Sequence, residues 1–164
     1  MHLACYTQEE IAEAVGLDQS TITRRLETFM QKVPAYFLHK PFDHDDSFNP
    51  PKYNVWTFDK NTSDVKHFGN SEQRIVDNLL WLYTKPYDIV LDPFAGSGST
   101  IDVCKNRLRR YYVSDRKPIV ERAREIRQLD IVTGLPDLNG KWKDVKLTYL
   151  DPPYWKQAEG KYSK

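Results

Sequence analysis

The chain has almost nothing with which to cross-link itself. Its 164 residues hold two cysteines, Cys5 and Cys104, too few and too far apart for a disulfide framework or a paired zinc-ligand spacing. It lacks both the leading apolar stretch of a secretion signal and any run long enough to cross a bilayer, so the expected setting is soluble, reducing and cytoplasmic. Net charge is nearly absent too: 24 basic against 23 acidic residues give +1, which excludes a whole-molecule field for a polyanion. Basic residues are instead grouped locally, at Arg24-Arg25, between positions 105 and 110, and at Arg116-Lys117. Such groups permit a phosphate-binding face without requiring one. Internal repeats and low-complexity tracts are missing. What remains has ordinary apolar and aromatic content. It can bury a core as one ordinary domain, or as a small module joined to part of a larger one.

Residues 1–33 read as a helix-turn-helix segment. Thr7 and Glu10 have the spacing of a capping box, with Ile11 and Val15 on one face of the helix that follows and Gly16 at the turn. Asp18 or Ser20 caps a second helix whose buried stripe is Ile22, Leu26 and Phe29. Gln19, Ser20, Thr21, Arg24 and Arg25 stand away from that stripe, where polar side chains of a helix-turn-helix reach base edges and phosphates. An ordinary helical hairpin has the same pattern. Two helices are also little for a stable module, so a supporting helix is expected before Met1.

Residues 34–52 lose periodicity and read as a linker. The His39, Asp43, His44, Asp45 and Asp46 group there lacks any spacing that fixes a metal geometry, so no metal is expected. From 53 to 164 the pattern alternates. Residues 53–58 read as a strand and residues 71–83 as a helix capped by Ser71, carrying Ile75, Leu79 and Leu82 with Val76, Leu80 and Tyr83. Residues 89–91 are a short apolar run, as in a buried parallel strand. A helix with Ile101, Cys104 and Leu108 follows, then a strand at 111–113 closing on Asp115. Pro118 suits the first turn of a further helix with Ile119, Ala123 and Ile126 inward. A weaker apolar patch surrounds Ile131-Val132, and residues 145–150 make a last strand. Strand-helix alternation of this kind predicts an α/β fold with a doubly wound sheet.

Only seven glycines are present, and two fall in Asp92-Pro93-Phe94-Ala95-Gly96-Ser97-Gly98-Ser99-Thr100, between an apolar strand and a helix. Ligands of doubly wound folds sit at such a strand end. A dinucleotide fingerprint wants a third glycine, but Ile101 stands there. Asp115, ending the next strand, suits ribose hydroxyls, while Asp92 would repel a pyrophosphate and suit an ammonium. Ribose plus an amino group without phosphate describes S-adenosylmethionine. Asp151-Pro152-Pro153-Tyr154 ends the last strand. A carboxylate and a proline carbonyl there can accept the two N–H groups of an exocyclic amine, and Tyr154 can stack on an extruded base.

With both motifs in this order, residues 53–154 resemble the catalytic core of the S-adenosylmethionine-dependent DNA amino-methyltransferases, the N6-adenine and N4-cytosine family. The resemblance implies a Rossmann-like methyltransferase sheet, here incomplete at its carboxyl-terminal end. It also implies cofactor contacts at Asp92, Phe94, Ala95, Gly96, Gly98, Ser99, Thr100, Asp115 and Asp130, and catalysis by Asp151, Pro152 and Tyr154. The segment around Trp56 and the stretch from His67 to Leu82 are similar to the part that helps hold the methionine end of the cofactor. The family's common His-Pro-x-x-Lys-Pro reads here His67-Phe68-Gly69-Asn70-Ser71-Glu72. An Asp heading the tetrapeptide leans toward adenine, and the implied partner is double-stranded DNA. The helix-turn-helix joined to such a core also resembles phage-type proteins with an upstream ParB-like domain. Two alternatives stay open: a DNA-binding protein with a vestigial core, or a methyltransferase acting on RNA or a protein glutamine.

Overall fold

Four short parallel strands organise the described residues, three of them where β-branched or aromatic residues concentrate. The computed structural model describes residues 1–32, 55–58 and 71–153. Strand β1 (Ile89–Asp92) is buried at every position, as befits a strand covered on both faces. With β2 (Arg110–Asp115), β3 (Ile126–Gln128) and β4 (Val145–Thr148) it forms a sheet of order β3-β2-β1-β4, every neighbouring pair parallel. The chain steps outward from β1 to β3, then returns to the far side of β1 for β4. Strand order therefore reverses between β1 and β4, and at such a point open α/β sheets leave a crevice beyond the carboxyl ends.

The alternation of side chains along the strands divides the core in two. Val90, Tyr111 and Val113 cluster with Val76 and Leu80 of helix α3 (Gln73–Tyr83) and with Ile101 and Cys104 of α4 (Ser99–Asn106). Ile89, Leu91 and Tyr112 pack on the other side with Cys5, Leu138 and Val145. Each fully buried aliphatic side chain stabilises by about 1.5–3 kcal/mol. Arg107 joins the two helices, its guanidinium donating at 2.5 and 2.6 Å to the two oxygens of Asp77. Arg109 turns inward and donates to the Thr84 hydroxyl (2.9 Å) and carbonyl (2.8 Å) at the end of α3. The basic group at 105–110 is thus largely structural, because Arg107 and Arg109 are buried.

Helix α1 (Gln8–Val15) starts on the capping box expected of Thr7 and Glu10, and Gly16 ends it at φ 67°. Asp18 caps α2 (Gln19–Gln31) by accepting from the Thr21 N–H. The pair shares a small core of Ile11, Ala12 and Ile22 with Leu26 alongside. Residues before α1 tie it to the sheet. The Tyr111 N–H donates to the Leu3 carbonyl, the Tyr6 hydroxyl donates to the Arg124 carbonyl at 2.6 Å, and Ala4 lies in the main core. Val15 and Phe29, expected inside, are 52% and 56% exposed. The two-helix core ends before it reaches them, and Phe29 instead lines a groove of about 440 Å³ between α2 and the sheet unit, with Leu3, Tyr6 and Tyr111.

Four strands were expected and four are present among the described residues, but one has changed place. Residues 55–58 carry no regular structure, and the first two residues of that expected strand lie outside those described. The helix expected from Pro118 is a single 3-10 turn, Val120–Arg122, after which the chain enters β3. Ile126 is buried as a strand residue paired with Val113, whereas Ala123 is exposed. α4 stops at Asn106, and Leu108 takes φ 54° in the turn that leads to β2. Tyr83 faces solvent, and Val132 is exposed within a short 3-10 turn. The linker, its His and Asp group, and the segment from His67 to Asn70 lie outside the described residues. Among those described, no helix is long and apolar enough to cross a membrane, and no His, Cys, Asp and Glu side chains gather to hold a metal.

Candidate active site

The Gly-rich loop is built by its own backbone. The Ala95 N–H donates to the Ser114 carbonyl at 2.9 Å, and the Gly96 N–H donates to Oδ2 of Asp115 at 2.9 Å, so the loop is stitched across to β2. Gly96 and Gly98 take φ of 50° and 82°, the left-handed region in which side chains are strained. Gly98 also has no room: a Cβ there would meet Arg122 Cδ at 2.9 Å and Ile101 Cδ1 at 3.0 Å. It is the residue from which α4 begins, with Ser99 next.

Asp92 lies beneath this loop, 2% exposed. One oxygen accepts the Phe94 N–H at 2.9 Å and the other the Thr100 hydroxyl at 2.6 Å. Burial pushes its carboxyl up to about 6, and the charges of Asp151 and Asp115 add to the rise against those two hydrogen bonds. No cation offsets it among the described residues. A buried carboxylate so placed gains most from a positively charged ligand. Asp115, half-buried at the end of β2, accepts from the Gly96 and Lys117 N–H groups and has further lone pairs to offer hydroxyls.

The second half arrives on β4. The Tyr149 N–H donates to the Leu91 carbonyl at 2.8 Å, continuing the pairing with β1 past the formal end of β4 and delivering Asp151 beside Asp92. Asp151 is half-buried, Pro152 and Pro153 are exposed, and Tyr154 lies outside the described residues. The Ser71 hydroxyl donates to Oδ2 of Asp151. Ser71 was expected to cap α3, but Glu72 does so.

Asp92, Gly96, Gly98, Thr100, Asp115 and Asp151 are thus brought together at the carboxyl ends of β1, β2 and β4. Phe94 and Ser99 are half-buried on the same loop, and Ala95 is buried. Asp130 is placed one strand further out. It begins the turn after β3, accepting the Val132 N–H at 3.0 Å and pairing with Arg116 at 3.3 Å. On α2, Gln19, Ser20, Arg24 and Arg25 are exposed and Thr21 half-buried, but the Ser20 and Thr21 hydroxyls both donate to the Asp18 carboxylate. Two residues escaped the sequence reading. Ser71 gave no signal because a hydroxyl before a helix reads as a cap. Arg122 holds Asp102 of α4 through two bonds of 2.8 and 2.7 Å while its stem lies against Gly98, a contact between segments that no local pattern reveals.

No solved structure matches the chain. The chain is similar to the type II methyltransferase M.BglII of Bacillus subtilis, with 32% identity over 97 residues, which cover 56% of this chain and 26% of that protein. It therefore spans about a quarter of that relative's length. The sequence profile of DNA methylases matches residues 23–124, well over half of the chain, from within α2 through the glycine loop and Asp115. The profile match stops short of Asp151, yet the geometry joins that residue to the matched loop, and the chain belongs to the DNA methylase family.

Proposed function

We propose that this chain is the core of an enzyme that transfers a methyl group from S-adenosylmethionine to the exocyclic amine of a base in DNA, adenine N6 before cytosine N4. The observation that carries the reading is the meeting of Asp92, Asp115 and Asp151 around one glycine loop where strand order reverses. That order also supports a doubly wound, Rossmann-like sheet.

The residues fit the cofactor's chemistry. Three carboxylates disfavour a pyrophosphate, whereas a buried Asp92 with no counter-ion among the described residues favours a cation. Asp115 would accept ribose hydroxyls, and the loop from Phe94 to Thr100 would lie along the ligand, with Asp130 a more distant contributor. When bound, S-adenosylmethionine supplies an electrophilic methyl group. The protein's own task is the acceptor, a poor nucleophile because its lone pair is delocalised into the base. Asp151 and the Pro152 carbonyl each accept one N–H, which lets the nitrogen rehybridise and stabilises the positive charge that develops on it. Proline carries no N–H, so the turn is stiff and its carbonyls remain free to accept. Tyr154 stacks on the base after it leaves the duplex. The face of α2 that carries exposed Gln19, Ser20, Arg24 and Arg25 and half-buried Thr21 contacts the DNA as the second half of a helix-turn-helix.

The test uses the full-length protein. Unmethylated DNA is incubated with it and labelled S-adenosylmethionine, then digested to nucleosides and resolved. N6-methyladenine is the expected product. N4-methylcytosine would redirect the base assignment, and label in neither nucleoside would remove the proposal.

A further inference from the structure

We infer that Ser71 is a positioning residue for this reaction, holding the Asp151 carboxylate in the orientation that receives the substrate amine; the inference rests on the methyl-transfer reading above. The two residues are 80 apart in sequence, and the Ser71 hydroxyl donates to Oδ2 of Asp151. Ser71 is released for this because Glu72 takes over the start of α3. Glu72 accepts the Arg74 N–H at 3.2 Å and the Arg74 guanidinium at 3.0 Å through each oxygen. The Phe58 ring covers that guanidinium at 4.6 Å. α3 itself is fixed by buried Val76 and Leu80 and by the Asp77–Arg107 pair. The donor therefore stands immediately before the capping residue of a packed helix.

Asp151 follows β4, the outermost strand on its side of the sheet among the described residues, and the prolines after it are exposed. A donor on Oδ2 stops the carboxylate from turning and leaves Oδ1 for the amine N–H. The chemical identity of the donor matters as much as its position. Positive charge develops on the amine as the new N–C bond forms and the methyl–sulfur bond of the methyl donor breaks, releasing a neutral thioether. The amine must then give up one proton, so the acceptor must keep its negative charge. A neutral hydroxyl orients the carboxylate and leaves that charge intact.

The experiment compares Ser71→Ala, Ser71→Thr and Asp151→Ala in the full-length protein with labelled S-adenosylmethionine and duplex DNA. Ser71→Ala is expected to lower kcat roughly 10- to 100-fold, the scale of a misplaced reacting group. KM for both substrates should stay within about 2-fold, because ground-state binding is untouched. Ser71→Thr, which keeps the hydroxyl, should recover most of the rate. If Asp151→Ala transfers normally, the methyl-transfer reading itself fails. If Asp151→Ala is inactive while Ser71→Ala keeps its kcat, or its loss lies in KM, or threonine rescues nothing, the role of Ser71 alone is overturned. Should Ser71→Ala not fold, as judged by calorimetric cofactor binding, Ser71→Cys keeps the volume with only a weak donor. Its kcat must fall likewise, and an unchanged value overturns the inference.

Discussion

The two halves of the site are held in opposite ways. Around the glycine loop, Asp92 and Asp115 are each fixed by two donors from residues nearby in sequence or from the loop itself, and the whole sits on the central pair of strands. Among the described residues, Asp151 follows an outer strand and is held by one hydroxyl from a residue 80 positions away. The loop half is buried and stores electrostatic cost in Asp92, whose carboxyl is raised to about 6. In the other half Asp151 is half-buried, and Pro152 and Pro153 are exposed. A ligand that enters first and carries positive charge suits the former; an acceptor that must arrive, be bonded and leave suits the latter. On the proposed function, binding and chemistry are divided between two structural supports, and this division can be tested.

The largest effect should come from separating them by mutation. Asp151→Asn removes the charge that stabilises the developing cation and should lower transfer by roughly 10²–10³-fold, the scale for losing one preorganised electrostatic partner. Cofactor affinity measured by calorimetry should hardly change. Asp92→Asn should do the reverse, weakening cofactor binding first. Equal losses of affinity in both variants would erase the division of labour.

The next effect is thermodynamic and follows from the raised Asp92 carboxyl. The native state holds this proton up to about pH 6, against an ordinary value of 3.8 in the unfolded chain. Between these values the native state binds more protons, so stability falls as pH rises. The contribution is fully present below about pH 4 and lost as pH passes through 6. Two pKa units correspond to about 3 kcal/mol. Asp92→Asn can keep both hydrogen-bonding positions without the charge, so its stability should exceed that of the wild type at pH 7.5 and match it near pH 4. Taking the difference between the proteins cancels groups that act the other way, such as Glu125, whose carboxyl is lowered. Denaturant melts at both pH values decide it. A variant no more stable at pH 7.5 would mean that Asp92 is not a stored cost. Cofactor affinity of the wild type should likewise weaken below pH 6, as the buried carboxylate takes up its proton.

Legibility in the sequence followed the same divide. The loop half could be read because most of what builds it is local, an apolar strand, two glycines and the next strand ending on Asp115, with Arg122 against Gly98 the exception. Local rules also recovered the capping box at Thr7 and the left-handed turn at Gly16. They failed where a neighbour decides. Ile126 fits a helix stripe by spacing, yet pairing with β2 at Val113 takes it as a strand. Phe29 fits a buried face, but the core beside it is too small to cover it. Ser71 reads as a cap until Asp151 is folded against it. The arginines at 107 and 109 read as a charged surface until helix ends and Asp77 enclose them.

The smallest effect probes how firmly the loop half is clamped, by comparing two glycines with similar backbones. Gly16 has φ 67° and nothing within 4 Å of where a Cβ would stand, whereas Gly98 has φ 82° and two close neighbours. Alanine at Gly16 should therefore cost only the left-handed conformation, about 1–2 kcal/mol. Alanine at Gly98 should cost that and about 1 kcal/mol more for overpacking, because neither neighbour can yield easily. Ile101 is fully buried, and the Arg122 stem is tethered through its two bonds to Asp102. Shortening the tethered side chain separates these contributions. In an Arg122→Ala background the penalty at Gly98 should drop toward that at Gly16, measured as the change in denaturation midpoint at constant slope. If the two glycines cost the same in the wild type, or if removing Arg122 leaves the gap intact, then Arg122 does not clamp the loop, and the rigidity of that half must come from its backbone bonds alone.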